Sequence, residues 1–147
     1  MKSTTRFFMR APIAAYRVNA GWLFGTRFLL LEHRGRTSGQ IRQAVLEVVE
    51  TAESGAPVIV SGFGEQSQWC KNITADPNVW VTWGRSRFAA VAARLDPAEG
   101  LALFERYRGA HPRAAQVLGG KIGVSLTENL DDAARRLPAF RLEKATT

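Results

Sequence analysis

The sequence predicts an α+β chain that is mainly β: a small antiparallel barrel with helices at its ends. Three observations point there. Short runs rich in Val, Leu and Ile recur along the chain, separated by tight turns that contain glycine. A single short helical stretch interrupts them and the longer helical stretches come late, so strands do not alternate with long helices as a doubly wound parallel sheet requires. A length of 147 residues suits one domain and excludes a propeller, a full (β/α)₈ barrel or a two-domain enzyme.

The elements follow in order. Residues 1–24 mix aromatics with arginine, and Pro12 suits the first turn of a helix that stops near Ala20-Gly21. This segment reads either as a helix packed on the core or as a basic amphipathic arm on lipid, with Trp22, Phe24 and Phe28 beside it. RFLLLEHR at 27–34 and IRQAVLEVVET at 41–51 form a hairpin across RGRTSG, and PVIVSG at 57–62 is a short buried strand. SQWCKNITA at 67–75 is a short helix with Ser67 as its N-cap, stopped by Pro77. VWVTWG at 79–84 and FAAVAARL at 88–95 pair across Arg85-Ser86. Asp96 caps a helix that has Pro97 at its first position, Pro112 ends that helix and starts the next, and a further helix runs from Asp131 to Leu137. AFRLEK at 139–144 is the last strand.

Composition narrows the function classes. Hydrophobic residues at 46% and charged residues at 22% describe a globular chain. Cys70 is alone, which excludes an internal disulfide framework, and two scattered histidines supply no zinc ligand cluster, so no metal is expected. The net charge of +7 is concentrated in residues 1–50, which carry +5. Sixteen of the 20 basic residues are Arg, whose planar fork suits phosphate and carboxylate, so an anionic partner is expected. No stretch reaches the roughly 20 apolar residues that a membrane span needs. The chain reads as cytoplasmic, with residues 1–24 offering peripheral contact with the inner membrane face, and as a monomer or homodimer.

Two stretches carry the chemistry. HRGRTSGQIR, residues 33–42, places Arg34, Arg36 and Arg42 beside two glycines and the hydroxyls of Thr37 and Ser38. A hairpin turn of this kind exposes main-chain amides beside guanidinium groups, which is what a phosphate or polyanionic tail needs. It lacks the spacing of a Walker A loop or of GxGxxG. A surface hairpin with solvated arginines explains it equally well. SGFGEQSQWCKNITADPNVWV, residues 61–81, is a glycine-containing loop opening a helix on which Trp69 and Asn72 share a face. A helix entered from such a loop suits an anionic or carbonyl-bearing group; a core Trp with a capping Asn is the plainer reading.

The ordered set G-R-x-[ST]-G-x-x-R, a strand ending in Ser, and W-x-x-N-x-x-A-x-P-x-V-x-V resembles the deazaflavin-dependent nitroreductase and quinone-reductase family, whose members use coenzyme F-420. The match runs across residues 29–95. The resemblance implies an FMN-binding-type split β-barrel, in agreement with the strand order. It implies that Arg36, Thr37, Ser38 and Arg42 bind the phosphate and acidic tail, and that Ala44, Val45 and Leu46 line the ring by main-chain contact. It places Ser61, Gly62, Phe63 and Gly64 near the phosphate or ring edge, with Trp69 and Asn72 closing the pocket. The chain departs from the family pattern at Thr37 and Gly62, where Lys is common, and at Ala44-Val45, where Asn-Pro is common. Residues 110–120, AHPRAAQVLGG, lack the tyrosines of some nitro-reducing members.

The implied reaction is hydride transfer from the reduced deazaflavin to a hydrophobic electron-poor acceptor: a quinone, an enone or another activated double bond. The cofactor carries the hard chemistry. His111, Tyr107 and Ser61 are candidates for supplying the proton, His111 because a free imidazole titrates at ~6.5. The alternatives are an FMN- or haem-binding protein of the same fold and a basic nucleic-acid-binding module. Against the last, no RNP-like aromatic strand is present, and no nucleic-acid partner is expected.

Overall fold

A computed structural model describes residues 25–146. The expected N-terminal helix, with Trp22 and Phe24, lies outside the described residues. Seven antiparallel strands form one sheet: β1 (Phe28–Arg34), β2 (Ile41–Glu47), β3 (Glu50–Thr51), β4 (Pro57–Val60), β5 (Asn78–Trp83), β6 (Ser86–Arg94) and β7 (Ala139–Lys144). Their spatial order is β2-β1-β5-β6-β7-β4-β3. Among the described residues four α-helices accompany them: α1 (Gln68–Ala75), α2 (Pro97–Ala110), α3 (Pro112–Ile122) and α4 (Leu130–Arg136).

The expected single strand over 41–51 is bent into two. The amide of Val48 donates to Arg27 O at 2.8 Å, toward β1, and the amide of Val49 donates to Val58 O at 2.9 Å, toward β4. Consecutive amides of an extended chain point in opposite directions, so one run of chain borders both ends of the sheet. That is how seven short strands curl into a barrel with a split side.

Alternation decides what fills it. Leu29 and Leu31 of β1, Ala44 and Leu46 of β2, and Val79 and Val81 of β5 point inward, where they meet Ile59, Ile73, Leu142 and the ring of Trp69. Residues of the opposite parity, Leu30 and Val45, pair on the other face with Phe28. The late helices form a second apolar cluster of Phe104, Ala115, Leu126, Leu130 and Leu137. Burying each of the Val, Leu, Ile and Phe side chains contributes roughly 1.5–3 kcal/mol.

The helix starts follow their local chemistry, with one exception. Asp96 accepts from the Glu99 amide at 2.8 Å while Glu99 Oε1 accepts from the Asp96 amide at 3.0 Å, a capping box with Pro97 in the first turn. Asn129 caps α4 through the Asp132 amide. Ser67, expected to cap α1, makes no capping hydrogen bond; its hydroxyl is engaged by Ser61 instead, at 2.8 Å.

Candidate functional site

The arginine turn and helix α1 meet at one end of the barrel. Between β1 and β2, Gly35 donates to Gln40 O at 2.7 Å and Gly39 donates back to Gly35 O at 2.8 Å, closing a compact loop. Glycine is favoured at both positions. A Cβ on Gly35 would lie 2.7 Å from Ser38 Oγ and 3.3 Å from Gln40 O, and Gly39 has φ of 73°. Within this loop the amides of Thr37 and Ser38 carry no hydrogen bond among the described residues. Two adjacent unpaired amides on an exposed turn are donors for an anion.

Arg36 is fixed from the side of α1. Its main-chain amide and its Nη1 donate to Asn72 Oδ1 at 3.1 and 2.8 Å, and its Nη2 donates to Gln68 Oε1 at 3.0 Å. All of these acceptors are neutral, so the guanidinium keeps its whole charge, with N–H groups left over. The Arg42 side chain makes no hydrogen bond or ion pair among the described residues, while its main chain pairs with His33 in the β1–β2 ladder. Arg34 is committed to Gly39 O at 2.8 Å, with Asp76 at 4.0 Å. Arg36, Arg42 and the two free amides therefore make a positive cradle at the Ile41 end of β2.

Asn72, only 4% exposed, has a second partner: its Nδ2 lies 3.0 Å from Nδ1 of His33, also 4% exposed. Since Nδ2 can only donate, Nδ1 accepts, and His33 is the neutral Nε2–H tautomer. Burial, reinforced by the Arg42 charge, holds its pKa down to about 4. Neither His33 nor Gln68 was among the site residues expected from sequence. The signal for His33 is its parity, which puts it on the same face as Leu29 and Leu31: a histidine on the core face of a strand needs a buried partner.

The remaining expected residues are distributed along the barrel. Ala44, Val45 and Leu46 lie in β2, an edge strand of the sheet. The Val48–Arg27 bond fixes the alternation there, turning the amides of Ala44 and Leu46 toward β1 and those of Val45 to the open edge. Ser61 is 1% exposed and donates to Gly64 O at 2.6 Å, pinning the loop into α1. Gly62 faces Ile122, Phe63 is exposed, and Gly64 has φ of 71°. The Trp69 ring packs edge-on against Phe140 in the barrel core, with centroids 6.1 Å apart. The Tyr107 and His111 rings lie 5.4 Å apart, tilted by 50°, and the charges of Glu47 and Arg27 act on Tyr107, which puts the pair by the Glu47 end of β2. Burial raises the Tyr107 pKa, and the Glu47 carboxylate raises it further. Among the described residues no cluster of His, Cys, Asp or Glu could hold a metal ion, and no helix is long and apolar enough to cross a membrane.

A curled antiparallel sheet closed by one bent strand, with a basic turn at an edge, defines a split β-barrel fold. The chain belongs to the F-420H(2)-dependent quinone reductase family, a family of oxidoreductases, whose sequence profile matches residues 8–127. Solved structures share the fold. One is a protein of unknown function from Agrobacterium tumefaciens, Atu2129, with 20% identity and a TM-score of 0.60 over 92% of this chain and 56% of that one, so this chain spans little more than half its length. Another is the F-420-H2-dependent reductase FDR-A, with 24% identity and a TM-score of 0.56 over 80% of this chain and 94% of that one. A third is a pyridoxamine 5′-phosphate oxidase-related, FMN-binding protein from Nostoc punctiforme, with 15% identity and a TM-score of 0.61 over 91% and 78%. No curated protein matches the sequence.

Proposed function

We propose that the chain binds deazaflavin coenzyme F-420 along β2 and passes a hydride from its reduced form to a hydrophobic electron-poor acceptor, a quinone or an enone. The observation that carries this reading is the cradle: Arg36 held by neutral acceptors, the Arg42 guanidinium without a partner among the described residues, and two free amides at Thr37 and Ser38. These donors fit a phosphate followed by an acidic tail.

The cofactor, when bound, supplies the low-potential hydride. The protein supplies position and a proton. Along β2 the order is Arg42 at the tail end, the Val45 main chain at the open edge, and Glu47 with Tyr107 nearby at the far end. Tyr107 and His111 are the proton candidates at that end. Ser61 is less suited because its hydroxyl already donates to Gly64 O. A neighbour of the same fold is a domain-swapped dimer, which supports a homodimer here.

FMN is the second reading, favoured by the FMN-binding relative: its phosphate fits the same cradle, but it brings no acidic tail for Arg42. The test is titration with oxidised coenzyme F-420 and with FMN, followed by tryptophan fluorescence. Tighter, saturable binding of the deazaflavin, then oxidation of its reduced form by a short-chain quinone, is the expected result. Preference for FMN, or no binding, overturns the assignment.

A further inference from the structure

We infer that His33 is a positioning residue for the cofactor's phosphate end: its Nδ1 fixes the orientation of the Asn72 side-chain amide, and Asn72 in turn aims Arg36 into the cradle. This rests on the reading of the arginine turn as the tail site.

The argument is one of hydrogen-bond polarity. A side-chain amide has an acceptor end and a donor end of nearly the same shape, and only its partners decide which way it faces. The two Arg36 donors require Oδ1 on their side. By themselves they leave Nδ2 pointing into a buried space at the base of the turn, where an unpaired donor is costly. His33 supplies the acceptor there at 3.0 Å. If Nδ1 carried a proton, two donors would face each other, and turning Asn72 over would set its NH₂ against two N–H groups of Arg36. Neutral His33 is thus part of the mount of the guanidinium.

The groups around His33 keep it neutral. Arg42 stands opposite it in the β1–β2 register, and the Arg36 charge faces it through Asn72. The pKa near 4 agrees with this geometry and keeps the Nδ1 lone pair available across the physiological range. His33 touches neither the cofactor's reacting atoms nor its phosphate; it acts through Asn72.

The test uses two ligands and two variants of the full chain. The ligands are coenzyme F-420 and its deazaflavin core without phosphate or tail. In the wild type, phosphate and tail should tighten binding strongly. His33→Leu should weaken binding of the whole coenzyme about tenfold, the scale of one oriented hydrogen bond, while leaving the core unchanged. His33→Asn, which can return an acceptor near the Nδ1 position, should restore most of the loss. Where His33→Leu does not fold, His33→Gln carries the comparison, because its acceptor sits one bond further out. Equal loss for both ligands means a merely structural role and overturns the inference, as does an unchanged affinity for the whole coenzyme. A wild type that binds core and coenzyme equally tightly overturns the tail-site reading itself, a separate result visible before any variant is made.

Discussion

Asn72 Oδ1 accepts twice from Arg36, from the main-chain amide at 3.1 Å and from Nη1 at 2.8 Å. One side-chain atom therefore fixes both the backbone of the turn and the direction of its guanidinium. The same residue reaches His33 with its other end, so the first strand, the turn and helix α1 are joined through a single amide.

Removing that amide should be felt in stability. Asn72→Ala leaves His33 Nδ1 and the Arg36 main-chain amide without their partner, and a buried unsatisfied polar group costs about 1–3 kcal/mol. A drop in Tm of several degrees is expected. Asn72→Asp keeps the acceptor for Arg36 but loses the donor to His33 and sets a carboxylate against the guanidinium, so it should weaken anion binding as well as lower Tm. An Ala variant that melts with the wild type would show that the amide joins nothing.

Arg42→Ala separates binding from folding in the other direction. The Arg42 side chain has no ion pair or hydrogen bond among the described residues, so Tm should stay within about a degree, surface substitutions of this kind costing little. The dissociation constant for coenzyme F-420 should rise roughly tenfold, and its dependence on salt should become shallower. Unchanged affinity across a salt series would remove Arg42 from the cradle.

Ser61 and Tyr107 should behave differently. Ser61→Ala deletes a buried hydroxyl that donates to Gly64 O and meets Ser67 Oγ, so a stability loss of about 1–2 kcal/mol is expected, read by urea unfolding. Tyr107→Phe keeps the ring, its tilted contact with His111 and the fold, and should lower kcat for quinone reduction without moving KM for the coenzyme. A Tyr107→Phe enzyme with full kcat passes the proton role to His111.

Acid should destabilise the protein through His33. Its folded pKa of about 4 lies below the ordinary ~6.5 of an unfolded histidine. Between those values the unfolded chain takes up a proton that the folded chain refuses, so stability rises with pH there. The contribution is complete above about 6.5 and is lost as pH falls toward 4. Urea midpoints measured from pH 8 to 4.5 should fall more for the wild type than for His33→Asn. Parallel curves would show that His33 does not control this window.

Much of the architecture is written in local signals. Apolar runs of strand length, the Asp96-Pro97 start, the break at Pro112 and the Gly35–Gly39 turn each act over a few residues, and each appears at its expected place. The motif G-R-x-[ST]-G-x-x-R with W-x-x-N likewise identified the family. The bend at Val48-Val49 was not legible, because IRQAVLEVVET has the composition of one continuous strand. It bends because two different strands claim adjacent amides, and those strands are distant in sequence.

Local patterning sets the element order, the mainly antiparallel sheet, the positive charge of the turn and the family. Which donors in that turn are spent and which are free follows from how the barrel closes. Arg36 and Asn72 are 36 positions apart, and His33 and Asn72 are 39 apart; no periodicity links residues at such distances. Ser67 shows the same principle: its local environment favoured a cap, but the buried Ser61 hydroxyl lay within reach once β4 and α1 had packed. Hydrophobic alternation sets the faces of strands over neighbouring residues, whereas the pairing of polar groups depends on which faces the closed barrel brings together.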